Sequence, residues 1–238
     1  MALKGSIGRG CTMGPGRKGS RPLLLSHRLS MRSPVYPGMA PFIVARLRAM
    51  GEGASSNASL LVMGGHVGTH ADAPLHFDEK GCSLSDFHVE ELLFERAVLL
   101  DIPKREGELI SREELQHRER EWAGASFLML RTGFQRFRSE RPEVYAGRGP
   151  CLSAAAAEYL AGFYPRLRGL GIDAISISSP LHREEGRRAH RVLLGGRRFL
   201  IVEDMDLADK PKRYRRLIVA PLLAEGLDGA PCLVLGFP

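Results

Sequence analysis

The residues best suited to chemistry lie in one short segment, residues 64–77, which reads Gly-Gly-His-Val-Gly-Thr-His-Ala-Asp-Ala-Pro-Leu-His-Phe. Three imidazoles and one carboxylate fall within eleven positions there: His66, His70, Asp72 and His76. Neutral imidazole and carboxylate are the side chains that zinc and similar divalent ions favour as ligands. The segment therefore predicts a metal site, and an isolated histidine elsewhere in the chain carries no comparable signal.

The same segment is predicted to be an irregular loop that follows a strand. His66 and His70 have the i, i+4 spacing of a helical ligand pair, but Gly68 and Pro74 disfavour a helix. A glycine inside a helix costs about 1 kcal/mol and a proline about 3 kcal/mol relative to alanine. In extended backbone, His70 and Asp72 are two residues apart and so point the same way.

The elements that must position this segment alternate between strands and helices from residue 21 onward. Ser111 and Glu114 form a capping-box pattern for a helix to about residue 121, and Ser153 begins a second helix to about residue 164. A third helix is predicted over residues 187–194, and residues 183–188 are interpreted as a solvated loop. Strands are predicted at residues 59–63, 97–102, 127–131, 174–177, 199–202, 217–222 and 232–235. The pattern indicates one α/β domain over residues 21–238.

Positive charge is concentrated at the N-terminus. The chain has a net charge of +7, yet its first 51 residues contain nine Lys and Arg and no acid. Three interpretations of residues 1–20 stay open: a disordered or wrongly assigned extension, an organelle-targeting sequence, and a basic arm for nucleic acid. Nucleic-acid binding is the least favoured, because no aromatic residue lies among these charges before Tyr36.

The amino-acid composition also limits the cellular compartment in which the protein is expected. No run of eighteen apolar residues is present, so no membrane-spanning helix is expected. The four cysteines are scattered without a Cys-x-x-Cys pair, which disfavours a thiolate metal cage and a disulfide framework. A cytoplasmic protein is expected.

At residues 66–76 the chain resembles the cyclase-like metal-dependent hydrolases, the family that includes bacterial kynurenine formamidases. The family motif, His-x-Gly-Thr-His-x-Asp-x-Pro-x-His, is present at every fixed position. Further similarity extends over about residues 22–206, including the segments at residues 25–27, 35–38, 130–133, 171–176 and 190–203.

The resemblance implies a swivelling β/β/α fold and a role for each matching residue. His66, His70 and Asp72 would hold one metal ion, and Asp72 would be shared with a second ion completed by His190 and Glu203. His76 would donate or accept protons, and Tyr36 would line the substrate pocket. The implied cofactor is a divalent metal, two zinc ions or manganese in their place.

Two departures from the family pattern bear on these roles. Ser178 stands where the family commonly has an aspartate, which affects substrate contacts more than metal ligands. The interval from His190 to Glu203 is one residue longer than usual, and we expect the turn at residues 195–198 to absorb the extra residue. If the turn did not, side-chain alternation would reverse Glu203, and Asp204 would be the alternative ligand. Glu203 is preferred.

The resemblance implies hydrolysis of a small-molecule amide, with N-formylkynurenine, which yields kynurenine and formate, as the first candidate substrate. A related hydrolase that opens a cyclic amide such as isatin is the alternative. A non-catalytic, metal-stabilised binding protein is the alternative from another class. The family also implies a homo-oligomer, either a dimer or a tetramer.

Overall fold

Twelve strands form within residues 21–238, the part of the chain that this computed structural model describes. In chain order they are β1 (Leu23–Leu24), β2 (Ile43–Arg48), β3 (Ala58–Val62), β4 (His70–Asp72), β5 (Leu93–Asp101), β6 (Leu109–Ile110), β7 (Phe127–Arg131), β8 (Cys151–Leu152), β9 (Gly169–Ile172), β10 (Leu200–Glu203), β11 (Arg213–Pro221) and β12 (Gly229–Phe237). Eight of them build one sheet in the order β1-β12-β11-β5-β7-β9-β10-β4. Because β4 also pairs with β12, this sheet closes on itself like a barrel.

The helices lie between the strands of the second half of the chain. They are α1 (Arg112–His117), α2 (Glu119–Trp122), α3 (Phe137–Glu140), α4 (Pro142–Gly147), α5 (Ala154–Phe163) and α6 (Arg183–Leu194), and a short 3-10 turn at Pro74–His76 belongs to the motif segment. Among the residues described, no helix has the length and apolar character needed to cross a membrane. The α/β class expected from the sequence is confirmed.

The wall of the closed sheet is buried on both faces. In β7, Leu128 and Leu130 pack in the cluster that contains the residues of α5 and α6, whereas Phe127 and Met129 pack in the cluster on the opposite face. Strands β5, β7, β9 and β10 pair in parallel, which explains their continuous apolar sequence. Two packed faces hold this part of the sheet rigidly against α6.

Of the three predicted helix starts, those at Ser111 and Ser153 are confirmed, whereas the third helix begins at Arg183 and not at residue 187. The Ser111 hydroxyl accepts a hydrogen bond from the Glu114 amide, and the Glu114 carboxylate accepts one from the Ser111 amide. The Ser153 hydroxyl accepts from the Ala156 amide at the start of α5. The first helix is interrupted at Arg118, so that α1 and α2 share the span predicted as one helix.

The strand predicted at residues 174–177 is wrong. The strand is β9, and residues 174–177 form the loop that follows it. Glycine ordinarily weakens a strand, but a Cβ at Gly169 would lie 2.4 Å from the Phe127 ring, so close packing requires glycine inside this strand. Asp173 directly follows β9, and its carboxylate accepts hydrogen bonds from two backbone amides directly after β7. These contacts end β9 at Ile172.

The solvated loop predicted at residues 183–188 is also wrong, because these residues are the first half of α6. The Ser179 hydroxyl accepts from a backbone amide in the 3-10 turn that leads into the helix. Gly186 is tolerated inside the helix because α6 passes close to a neighbouring loop. A Cβ at Gly186 would lie 2.0 Å from the Ser178 hydroxyl oxygen.

Candidate metal centre

The closing strand of the sheet brings the first donors together. His70 and Asp72 are the two ends of β4, with both side chains buried, and β4 lies between β10 and β12. The pairing register sets Glu203 opposite His70 and Gly229 opposite Asp72. Residues that are 133 positions apart in the chain therefore face each other as cross-strand neighbours.

Helix α6 supplies His190, and the backbone fixes the orientation of both buried imidazoles. His190 Nδ1 lies 2.7 Å from the Gly186 carbonyl oxygen, and His70 Nδ1 lies 2.8 Å from the Gly68 carbonyl oxygen. A carbonyl only accepts, so each Nδ1 carries the proton. In the neutral rings, both Nε2 atoms therefore present a lone pair.

These two Nε2 atoms point at carboxylates. The Nε2–oxygen distances to Glu203 are 3.3 Å from His70 and 3.4 Å from His190, and those to Asp72 are 3.5 Å and 3.9 Å. His70 Nε2 and Asp72 Oδ2 are buried without a hydrogen-bond partner. Lone pairs and carboxylates repel one another unless a positive charge lies between them, so the cluster fits a bound cation.

The pKa shifts of His70, His190 and Glu203 also indicate that the cluster favours positive charge. Burial lowers the pKa of His70 and of His190, but the facing carboxylates more than offset it, so both pKa values are raised overall. Burial acts to raise the pKa of Glu203, and the two histidines outweigh it and hold that pKa below its usual range. A divalent ion would take the place of those protons.

His66 and His76 extend the cluster toward solvent. His66 Nδ1 lies 2.7 Å from Asp72 Oδ1, and the His66 and His76 rings are 4.1 Å apart. Asp228 Oδ2 accepts from His66 Nε2 at 3.0 Å and from His76 Nδ1 at 2.7 Å. Burial lowers the pKa of His66, but Asp72 and Asp228 outweigh it and raise that pKa to about 10.

Within residues 21–238, three donor groups are compact enough to hold an ion. They are His66, His70 and Asp72; Asp72, His190 and Glu203; and His66, His76 and Asp228, each with its ligand atoms within 4.8 Å of one another. The first two share Asp72, as the resemblance implies. The structure therefore brings together all five residues expected as metal ligands, and places His76 at their edge.

A cavity of about 260 Å³ opens onto this cluster. His66, His70, His76, His190 and Glu203 line one side of it. Tyr36, Met39, Phe77 and Ile175 contribute less polar lining, and Ser178, Arg183 and Arg187 also line the cavity. Burial raises the pKa of Tyr36, an effect that a hydrogen bond with Ser178 and the charge of Arg183 partly offset.

Comparison with known proteins shows which family shares this fold and this motif. The family model Cyclase, described as "Putative cyclase", matches residues 23–179. The chain belongs to the Cyclase family. A kynurenine formamidase of Bacillus cereus is 31% identical over 207 residues, which cover 87% of this chain and 92% of that relative. An uncharacterized protein of Haemophilus influenzae is 39% identical over 107 residues, 45% of this chain and 75% of that relative.

Several solved structures share the fold of this Cyclase family member. Isatin hydrolase A from Ralstonia solanacearum superposes with a TM-score of 0.78 at 22% identity and covers 90% of each chain. A potential metal-dependent hydrolase with cyclase activity superposes with a TM-score of 0.70 at 26% identity, covering 91% of this chain and 96% of that one. Together, relatives and structures support a cyclase-family amide hydrolase.

The two departures noted in the sequence have clear positions. Helix α6 ends at Leu194 and β10 begins at Leu200, so residues 195–199 connect the two elements. Glu203, not Asp204, faces the histidines. Asp204 is buried on the other side, where its carboxylate accepts from Arg138 and Tyr145. Ser178 lines the cavity beside Tyr36.

Asp228 is the site residue that sequence reasoning missed in this Cyclase family chain. It lies 152 positions after His76, in the turn before β12, and outside the segments that resemble the family. The one local signal is an acid in a glycine-flanked turn, Gly226-Leu227-Asp228-Gly229, directly before an apolar strand. Only the pairing of β12 with β4 brings it to the histidines.

Two further histidines and the buried Cys151 lie outside the cluster. His182 Nε2 lies 2.7 Å from the Gly107 carbonyl oxygen, and the His27 amide donates to the Thr69 hydroxyl. Burial raises the pKa of Cys151 to about 12, which disfavours its thiolate and hence nucleophilic catalysis. The interpretations of residues 1–20 concern residues outside those described.

Proposed function

We propose that this chain is a metal-dependent amide hydrolase of the arylformamidase type, which converts N-formylkynurenine to kynurenine and formate. One observation carries the proposal: His70 Nε2 and Asp72 Oδ2 are buried and unpartnered in one cluster of donors, onto which a small cavity opens. The kynurenine formamidases that align with 84–90% of this chain support the substrate class.

The proposed centre would hold two divalent ions, and Asp72 belongs to both sets of ligands. His66 and His70 would complete one set of ligands, and His190 and Glu203 the other. Zinc is the first choice and manganese the alternative, because both accept imidazole and carboxylate ligands. When bound, such ions act as Lewis acids toward the amide carbonyl and the attacking water.

His76 is the proposed proton carrier. Its Nδ1 donates to Asp228, which leaves the Nε2 lone pair to accept a proton from the attacking water. The water oxygen then bonds to the formyl carbon, the C–N bond breaks, and the proton passes from His76 to the departing aryl amine. The products are formate, the free amine and a proton released to solvent, and water is the one reactant consumed besides the amide.

The cavity wall suits an aryl group beside the reacting amide. The Phe77 ring stacks on the His190 ring at 4.6 Å between centroids, so the cluster and the apolar wall are adjacent. Tyr36 and Ile175 line the same cavity. We propose that Tyr36 contacts the substrate, as the family resemblance implies, and that the aryl ring lies against this wall.

Formate release from N-formylkynurenine by the metal-loaded protein tests the proposal, with isatin as the second substrate. Isatin is the second candidate because isatin hydrolases share the fold over about nine-tenths of the chain. Formate release that is lost in His76→Ala with the metal retained supports the arylformamidase. Opening of isatin without formate release would favour the cyclic-amide alternative. Bound metal with neither activity would favour a non-catalytic binding protein.

A further inference from the structure

Helix α6 presents one charged face to the cavity. Arg183, Arg187 and His190 stand at positions i, i+4 and i+7, which places them in one row along the helix. All three line the cavity, with His190 buried in the metal cluster and the two arginines exposed. The row therefore runs from the cluster outward along one cavity wall.

Two other charged side chains of α6 are engaged away from the cavity. The Glu185 carboxylate accepts from the Ala154 amide at 2.8 Å, and Arg188 forms an ion pair with Glu158 at 3.4 Å. By contrast, neither Arg183 nor Arg187 forms an ion pair with any residue in the described range 21–238. Their guanidinium groups are therefore available to bind a ligand in the cavity.

Among the lining residues that the structure describes, no further acid is available to pair with them. Glu203 is the one carboxylate in that set, and it is held between His70 and His190. A guanidinium group donates two parallel hydrogen bonds to a carboxylate, and such charge-assisted pairs are among the strongest in proteins. Within the described part of the chain, the cavity thus has two positive groups without an ion-pair partner and no such negative group.

We propose that Arg183 and Arg187 form an anion subsite that binds a carboxylate carried by the amide substrate. The inference rests on the proposed function and narrows it to a substrate class. A substrate that carries a carboxylate, as N-formylkynurenine does, is favoured over an otherwise identical one that lacks it.

A matched pair of aryl formamides tests the subsite. 3-Formamidobenzoate carries the carboxylate, and 3-formamidobenzamide is its neutral analogue with the same scissile bond. For the double variant Arg183→Gln/Arg187→Gln, the ratio of kcat/KM for the benzoate to that for the benzamide is expected to fall about tenfold to hundredfold. Arg188→Gln, on the same helix but facing Glu158, is the control and is expected to keep the wild-type ratio.

Binding of the corresponding amines separates this inference from the proposed function. Calorimetry compares 3-aminobenzoate with 3-aminobenzamide on the metal-loaded wild type and the double variant. Tighter binding of the benzoate that depends on both arginines supports the subsite even if neither formamide is hydrolysed, in which case the proposed function alone fails. An unchanged benzoate-to-benzamide ratio in the double variant, in turnover or in binding, overturns the subsite.

Discussion

At the scale of single residues, the carboxylates of Asp72 and Asp228 have different roles in the site. Asp72 is fully buried, with one oxygen 2.7 Å from His66 and the other unpartnered inside the cluster. Asp228 is partly exposed and holds His66 and His76 from the solvent side. A buried acid that faces several imidazoles suits ion binding, whereas an outer acid that accepts from a histidine orients it.

Asp228→Asn tests the orienting role. Because an amide no longer favours the His76 tautomer with its proton on Nδ1, kcat is expected to fall about tenfold to hundredfold while bound metal is retained. The measurements are kcat for the formamide and metal content by mass spectrometry. Asp209→Asn, an exposed aspartate, is the matched control.

A double-variant cycle distinguishes orientation from general damage. If Asp228 acts through His76, Asp228→Asn has little further effect in a His76→Ala background. Equal losses in both backgrounds would show that Asp228 does not act through His76.

Sequence reasoning reached the residues that a local motif contains and missed the one that topology supplies. His66 to His76 lie within eleven positions, so their types and spacing were sufficient. Asp228 reaches them only through the pairing of β12 with β4, and no local pattern encodes that pairing. Likewise, Glu203 was preferred over Asp204, but only the strand register shows which of the two faces His70.

At the scale of elements, the turn after β10 is anchored by a buried ion pair. Arg138 donates two hydrogen bonds of 2.7 Å to Asp204, and Tyr145 donates a third. The Asp204 carbonyl also accepts from Thr69, which ties this turn to the motif segment. The network therefore connects the strand that carries Glu203 to the segment that carries His70.

Asp204→Asn is expected to destabilise the fold by about 3–5 kcal/mol, because it leaves the largely buried Arg138 without its charge partner. Urea denaturation of the metal-free protein measures the change in the free energy of unfolding. Asp209→Asn, in the exposed segment that follows, is the control and should lie within about 0.5 kcal/mol of wild type. A similar small change for Asp204→Asn would contradict the anchoring role.

A second contact joins the turn before β10 to the short turn at Val89–Leu92. Arg198 donates two hydrogen bonds to Glu91, which lower the pKa of that carboxyl to about 2. A carboxyl group whose pKa is lowered on folding stabilises the fold above its unfolded pKa, here near 4.5. This stabilisation is lost as pH falls through the folded pKa of about 2. The melting temperature of wild type is therefore expected to exceed that of Glu91→Gln at about pH 5 and to converge with it near pH 2. A gap that is constant over that range would contradict the assignment.

The element errors have physical causes that the sequence does not display. Glycine at position 169 belongs to a strand because the Phe127 ring occupies the space of a Cβ. Gly186 lies inside α6 because the helix passes against Ser178. In both places the packing partner lies on another element or loop, outside the local sequence, so local propensity favoured a loop or turn.

At the scale of the whole molecule, the hairpin of β2 and β3 is the least covered element. Both strands are exposed along almost their whole length, including Ile43, Leu47, Leu60 and Leu61. An isolated two-stranded ribbon is marginally stable in water, and apolar patches of this kind mark interfaces. We propose that this hairpin contributes to a homo-oligomer, as the family resemblance implies.

Leu47→Glu/Leu61→Glu is expected to shift the protein from a dimer or tetramer to a monomer, because charge would be buried at the interface. Sedimentation velocity measures the mass. Val89→Glu, an exposed apolar position outside the hairpin, is the control. A wild-type monomer, or an oligomer unaffected by the double variant, would contradict this proposal.

The central claim is that a divalent metal centre built on Asp72 performs amide hydrolysis, and metal removal with reconstitution tests it most directly. Formate release from N-formylkynurenine is measured on the protein as purified, after chelation and after return of zinc or manganese, with metal content determined at each stage. Activity is predicted to vanish with the metal and return with it, and Asp72→Ala should neither retain metal nor recover activity. Formate release that persists after complete chelation, or in Asp72→Ala, would contradict the account.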